Sequence, residues 1–315
     1  MALTLSDELL NQTVNLYLEE ATEKLRAGAK AFSIGSDYHT GLKKTEGSLT
    51  GIADMIEDRD IASSAAQTPT DISSGDQTAV SYTWKTKLLQ AKASEVKRFA
   101  GTQNAQDALT MFFAREYAQA IIKQMYEIGL GAAVGAISAQ SQLVNGDGTA
   151  ALNYSGLNGQ LAKFGDGSQS LTTLAMRGMQ YHALVGDAST SKAVDMVMGA
   201  TIVGGDAPTF GRDAMVFDAS TMIDTVNSKA YVLALVADAI ELNESESREV
   251  FFDKVGTNEN IMYQFKFEGG FDVKLKGYSY STTAGNTKAE ILTAANWTKI
   301  ASDKLTAGTL GIYTA

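Results

Sequence analysis

The chain has 315 residues, 44% hydrophobic and 20% charged, which is ample for a buried core and, at roughly 150 residues per domain, for two lobes. It has no cysteine, which excludes disulfides, thiolate catalysis and cysteine-ligated metal centres; its two histidines, His39 and His182, are too few for the ligand sets of zinc or non-haem iron. The formal net charge is −10, and Lys and Arg are scattered rather than blocked together, so tight nucleic-acid binding is not expected.

Residues 1–10 carry Asp7 and Glu8 and lack the basic start and apolar run of a signal peptide. The apolar residues of 6–32, among them Leu9, Val14, Leu18 and Leu25, recur at helical spacing and predict a terminal helical arm. Residues 35–51 are rich in Gly, Lys and Thr and read as a connector with little core of its own. Two strand-like stretches, 49–56 and 79–89, flank a polar tip at 63–76 and predict a long β-hairpin. Val80, Tyr82 and Trp84 alternate with Ser81, Thr83 and Lys85, the period of a strand with one covered face. A lone hairpin gains little stability in water, so this one needs something to lie on, and in an oligomer the adjacent subunit would serve.

Asn104 and Asp107 mark a helix start, and Leu109, Phe112, Tyr117, Ile121, Met125 and Ile128 continue it at spacings of three and four. A helix over 105–128 is predicted, weakened beyond by Gly129, Gly131 and Gly135. Lys123 and Glu127 interrupt the apolar stretch 118–137, so no membrane span is expected. Residues 142–170 hold Asn145-Gly146-Asp147-Gly148 and Gly165-Asp166-Gly167-Ser168, which read as loops or a short hairpin and lack the ligand pattern of a calcium loop. Beyond lie a helix at 171–179, strands at 181–185 and 214–217, a helix at 190–198, and patterned stretches at 230–242 and 249–277. In the last, Tyr263, Phe265, Phe267, Phe271 and Val273 alternate about a break at Gly269-Gly270. The class is α+β.

No phosphate-binding GxxxxGK, GxSxG, HExxH or GxGxxG pattern stands in its proper setting. His182, with Asp187 and Ser189, is the nearest approach to a hydrolytic constellation, and it reads better as a core histidine at the end of a buried strand. The acids Glu241, Glu244, Glu246 and Glu249 read as a solvated loop rather than paired catalytic carboxylates. No catalytic, cofactor-binding or metal-binding residue is assigned, and no cofactor is expected.

Four phrases carry a family resemblance: Met179-Gln180-Tyr181-His182-Ala183-Leu184-Val185; Phe210-Gly211-Arg212-Asp213-Ala214-Met215-Val216-Phe217-Asp218; Gly269-Gly270-Phe271-Asp272-Val273; and Ala294-Ala295-Asn296-Trp297 followed by Leu310-Gly311-Ile312. In this order, with the arm, hairpin and long helix before them, the chain resembles the major capsid protein of tailed bacteriophages, of the Hong Kong 97-type fold. The resemblance implies an N-terminal arm at 1–48, an extended hairpin loop (E-loop) at 49–100, a peripheral domain with its spine helix at 101–145 and 249–285, and an axial domain at 146–248 and 286–315.

It also implies a non-enzymatic coat protein that self-assembles, as hexamers and pentamers, into an icosahedral head around double-stranded DNA held without sequence-specific contacts. An acidic wall suits such a container, because it repels the packed phosphates. The implied partners are further copies, scaffolding and portal proteins and a possible decoration protein; the implied location is the virion capsid, after assembly in the host cytoplasm. With no long charged pro-region before the arm, the scaffold is expected to be a separate protein. An encapsulin-like compartment shares the fold and would show a cargo-peptide groove. A soluble hydrolase would depend on His182. A tail-tube or decoration protein would lack the long helix.

Overall fold

The computed structural model describes residues 12, 14–17, 19, 20, 30–37, 39, 41–49, 74–92, 94, 95, 98, 105–190, 209–256 and 259–315. In chain order the strands are β1 (Phe32–Ser36), β2 (Lys43–Leu49), β3 (Ser74–Lys85), β4 (Leu89–Lys92), β5 (Val144–Asn145), β6 (Leu171–Met176), β7 (Asp213–Val216), β8 (Ile223–Asp224), β9 (Lys229–Val236), β10 (Ile240–Val255), β11 (Met262–Leu275), β12 (Tyr278–Tyr280), β13 (Trp297–Lys299) and β14 (Gly308–Thr314). The helices are α1 (Ala105–Ser138), α2 (Tyr154–Ala162), α3 (Gly178–Thr190) and α4 (Lys288–Ile291).

Two larger sheets form. The first runs β1-β10-β11-β3-β2, with β4 replacing β3 beside β11 at one end; the second runs β5-β14-β9-β6-β7, with β8 beside β9. β1 stops at Ser36 opposite Glu244, so among the described residues no strand pairs with the outer edge of β10 beyond Ser245. At Gly308, with φ of 146°, a Cβ would lie 2.0 Å from the Ala234 carbonyl oxygen, so only glycine lets β14 start against β9.

The long helix is the common wall. Phe267 stacks on Tyr117 at 4.1 Å, Trp84 lies 5.7 Å from the same ring, and Gln124 donates to the Tyr82 hydroxyl at 3.3 Å, so the strands have the covered face that their alternation predicts, and α1 covers it. That cover comes from the subunit's own helix rather than from a neighbour. The helix runs ten residues past its predicted end. Its glycines are contact points, not stops: a Cβ on Gly131 would lie 2.2 Å from Leu292, and one on Gly135 would lie 2.5 Å from the Leu292 carbonyl oxygen. Its stretch Arg115–Ser138 is long and apolar enough to cross a membrane, but 72% of that window is buried within the protein, so the core consumes the apolar surface.

Several expectations change. Residues 171–176 are a strand, not a helix, because Leu171, Thr173, Leu174, Ala175 and Met176 are all buried between β9 and β7, which leaves no polar period to read. The predicted strand at 181–185 is part of α3, where Gln180 and Leu184, four apart, are buried while Met179, His182 and Val185 are exposed. Residues 154–162 form a helix rather than a loop; Asn153 caps it by accepting from the Gly156 amide at 2.7 Å. β11 is unbroken at Gly269-Gly270; the irregularity lies opposite, in register shifts of β10 between Glu244 and Glu249, and a Cβ at Gly269 would meet Trp84 at 2.7 Å.

The connector at 35–51 contains the end of β1 and all of β2, so the described first arm of the hairpin is 43–49; of the predicted strand 49–56 only Leu49 lies among the described residues, and it is the last residue of β2. Its pattern is polar because pairing with β3 and ionic contacts, not apolar burial, hold it. Of the arm, residues 12, 14–17, 19 and 20 are helical and Phe32 belongs to β1; of the predicted tip 63–76, residues 74–76 belong to β3, and the rest of it, the rest of 1–29, residues 50–62 and the predicted helix beyond Thr190 lie outside the described residues. Strand β7 falls at the predicted 214–217 within one residue.

A pair of glycine substitutions tests the packing of the helices. Helix propensity alone favours alanine at both Gly135 and Gly186. At Gly186 nothing lies within 4 Å of the new methyl group, so Gly186→Ala is expected to stabilise by about 0.5–1 kcal/mol. At Gly135 the Leu292 backbone blocks it, so Gly135→Ala is expected to destabilise by about 1–3 kcal/mol despite the propensity gain. Urea unfolding of the two variants reads both signs.

Candidate assembly interface

The described part of the hairpin, β2 and β3, is held from several sides. β2 and β3 pair antiparallel from Lys43 opposite Val80 to Leu49 opposite Ser74, and β3 pairs with β11 from Lys85 opposite Glu268 to Val80 opposite Val273. Both arms are also tied to the segment 275–286, which leads from the end of β11 toward α4. Lys43 Nζ donates to the Thr282 carbonyl at 2.6 Å and to that of Ala284, with its ammonium 5.7 Å from the Tyr280 ring centre. Gln77 Nε2 donates to the carbonyls of Leu275 and Tyr278 at 2.9 and 3.1 Å, the Thr78 amide donates to Ser279 Oγ at 3.0 Å, and Asn286 Nδ2 donates to the Ser81 carbonyl at 3.1 Å.

Beside these contacts lies a buried carboxylate, Asp272 on β11. Its Oδ2 is 2.6 Å from His39 Nε2, and its Oδ1 accepts from the Ser81 hydroxyl. The three residue types are those of a hydrolytic triad, but the roles are not. Ser81 spends its proton on the carboxylate, and a nucleophilic serine must present it to the imidazole. The cluster satisfies a buried charge and joins the connector, β3 and β11 at one point.

A charged row crosses the same sheet. Lys44 meets Asp37 and lies 2.9 Å from Glu46; Lys274 meets Glu46 at 2.6 Å and Glu241 at 3.5 Å. The hydrogen bond from Lys274, then that from Lys44, hold the Glu46 carboxyl down at about 2. For Lys274, burial works against the ammonium, but the hydrogen bond and charge of Glu46 and Glu241 outweigh it and raise its pKa above the ordinary lysine value.

His182, considered above as a core residue, is exposed on α3. Asp187 is engaged elsewhere, its Oδ2 accepting from the Tyr154 amide at 2.9 Å, and the side chain of Ser189 lies outside the described residues. The acids of 241–249 are on strand β10 rather than a loop: Glu241 faces Lys274 and Glu244 pairs with Arg248 at 2.8 Å. The residues that do come together, His39, Ser81 and Asp272, leave no local pattern, because 233 and 191 positions separate Asp272 from its two partners.

Among the large apolar side chains that the described surface exposes, two sets lie beside the sheets. Leu88, Leu89, Phe251 and Ile261 belong to the far end of the first sheet, and Phe251 is 50% exposed. Met179, Phe210 and Val216 belong to the β7 side of the second, where β7 is the last strand among the described residues and Met179 is 64% exposed. Each such side chain gains about 1.5–3 kcal/mol if fully covered.

The depressed carboxyl of Glu46 sets a pH dependence. A group whose folded pKa lies below its unfolded value of about 4.3 stabilises above that value, and the contribution fades as pH falls toward its folded pKa of about 2. Because Glu46 is 42% exposed, screening limits the effect to about 1 kcal/mol or less. Denaturant titrations of the native chain and Glu46→Gln are expected to differ at pH 6 and to converge near pH 2.

Residues 2–310 match the family model described as Gp13-like, major capsid protein 13-like. No curated protein matches the sequence. Among solved structures, the chain is similar to one from Mycobacterium phage Adephagia, with a TM-score of 0.53, 13% identity, and coverage of 91% of this chain and 88% of that one. It is similar to the cyanophage Pam1 capsid asymmetric unit at a TM-score of 0.51 and 12% identity, covering 90% and 88%. It is also similar to the satellite phage P4 procapsid including its size determination protein, at 0.51 and 8%, covering 84% and 86%. Identities this low speak for the fold, and the fold is the α+β capsid fold of the Hong Kong 97 type that the sequence resembles. The family match spans nearly the whole chain: it belongs to the Gp13-like major capsid protein family and is a coat protein of a phage head.

Proposed function

We propose that the chain assembles as hexamers and pentamers into an icosahedral shell around double-stranded DNA, with the divisions 1–48 as arm, 49–100 as extended hairpin loop, 101–145 and 249–285 as peripheral domain, and 146–248 with 286–315 as axial domain. The observation that carries it is the exposure of large apolar side chains beside each of the two sheets. In this reading the group around Phe251 meets a neighbour's hairpin or arm, and the group around Met179 and Val216 meets the copies gathered about a capsomer axis. Contacts worth little singly suffice when repeated around a closed shell. The formal charge of −10 supports a wall that holds DNA without gripping it. Scaffolding, portal and decoration proteins would be the heterologous partners, assembly would occur in the host cytoplasm, and the role needs no catalytic centre.

Negative-stain electron microscopy of the purified full chain, alone and with its neighbouring gene products, tests this, with closed hollow shells as the expected result. A chain that stays monomeric under all these conditions overturns it. Phe251→Glu places a charge on the exposed apolar group while leaving the subunit's own core untouched. It is expected to leave subunit stability within about 0.5 kcal/mol and to lower shell yield by about tenfold or more, measured by sedimentation.

A further inference from the structure

We propose that the root of the hairpin, residues 43–49 and 74–85, is a preset lever: its direction is fixed within the free subunit by the segment 275–286, before any second copy binds. The inference rests on the assembly reading above and says where the adjustments between neighbours do not occur. A ribbon supported only by its neighbours would show its own two-strand ladder and little else. This one shows more. β3 is a strand of the subunit's own sheet, paired to β11 over six register positions. Its partner β2 is fastened independently, by Lys43 to the carbonyls of Thr282 and Ala284 and by Glu46 to Lys274.

The fastenings converge on one piece of chain. Lys43, Gln77, Thr78 and Ser81 all bond to residues between Leu275 and Asn286, and that piece continues into α4, whose capping box is formed by Thr287 and Glu290. Six residues past the end of α4, Trp297 is buried and donates from Nε1 to the Ile291 carbonyl at 2.7 Å. Beyond it the chain enters the second sheet as β14. The lever is therefore fastened to the crossover between sheets, and its root turns only if that crossover turns with it. Charge-assisted bonds from an ammonium to main-chain carbonyls, in a place where Asp272 is already buried and satisfied, are costly to open singly.

Hydrogen–deuterium exchange on the full chain tests this directly. In unassembled subunits at low concentration, the amides of 43–49 and 74–85 are expected to exchange within about threefold of their rates in assembled shells. Protection that appears only on assembly, by about tenfold or more, overturns the proposal. Lys43→Met keeps the stem and removes the ammonium; it is expected to speed exchange at 43–49 in free subunits by about tenfold, and no change would remove the role given to the crossover.

A second arm uses the absence of cysteine. Thr45 and Thr78 are opposed, with hydroxyl oxygens 3.1 Å apart, so Thr45→Cys/Thr78→Cys offers a single cross-strand disulfide. Oxidised free subunits are expected to assemble within about twofold of the reduced yield; a fall to about a tenth or less would show that the root must open, and would sink the lever. If no shells form from the native chain either, the assembly reading fails, while slow exchange in the free subunit still establishes the preset root.

Discussion

A helix buried on most sides can exist only where neighbouring chain comes close enough to cover it, and that condition organises this molecule. With 34 residues α1 is about 50 Å long, the span of a small domain and more, and it must be walled on one flank by the first sheet and on the other by chain leading to the second. Tyr117 and Gln124 meet the aromatic residues of β3 and β11. One turn further on, Glu127 receives the Ser220 hydroxyl and lies 3.4 Å from Lys288, so the chain before β8 and the start of α4 both dock at one carboxylate. Beyond that, Gly131 and Gly135 let Leu292 approach to backbone distance. Larger side chains there would push α4 and Trp297 away, and with them the path into β14.

This arrangement explains which parts were legible in the sequence. The alternation of Val80, Tyr82 and Trp84 could be read because one face of β3 meets the helix and residues between them are polar. The start of α1 could be read because its first turns are amphipathic. Its end could not, since a helix buried all round carries no polar face and its glycines look like terminators until the backbone they admit is seen. The exchange of strand and helix between 171 and 190 has a similar origin. β6 is an interior strand of its sheet, and buried Thr173 beside Leu174, Ala175 and Met176 leaves no alternation to read, while α3 buries Gln180 and Leu184 and exposes Met179 and Val185, so its burial does not follow its polarity. Periodicity can be read only where polarity follows burial, and in neither segment does it.

The family likeness drew on four short phrases, and the structure gives three of them physical content. Asn296 and Trp297 bond back to the carbonyls of Glu290 and Ile291 and close the turn after α4. Gly269-Gly270 lets Trp84 and Arg248 lie against β11. Arg212 donates to the carbonyls of Leu171, Ser168 and Phe210, fastening the approach to β7 onto the start of β6. The phrase at 179–185 fell on a helix instead of the strand it resembled. The contacts at the hairpin root, by contrast, join residues some two hundred positions apart, and no local pattern announces them.

Among the described residues no strand pairs with the outer edge of β10 beyond Ser245, and an uncovered rim has a consequence for the protein's life before it meets its fellows. A freshly made chain would carry a row of main-chain donors and acceptors open to any passing extended peptide, the usual seed of insoluble clumps. Glu246, Glu249 and Asp253 all stand exposed along that rim, flanking Phe251, and like charges on two such rims repel when brought edge to edge. Acids so placed would act as gatekeepers, holding like rims apart while the ring of Phe251 stays accessible to the neighbour proposed for it.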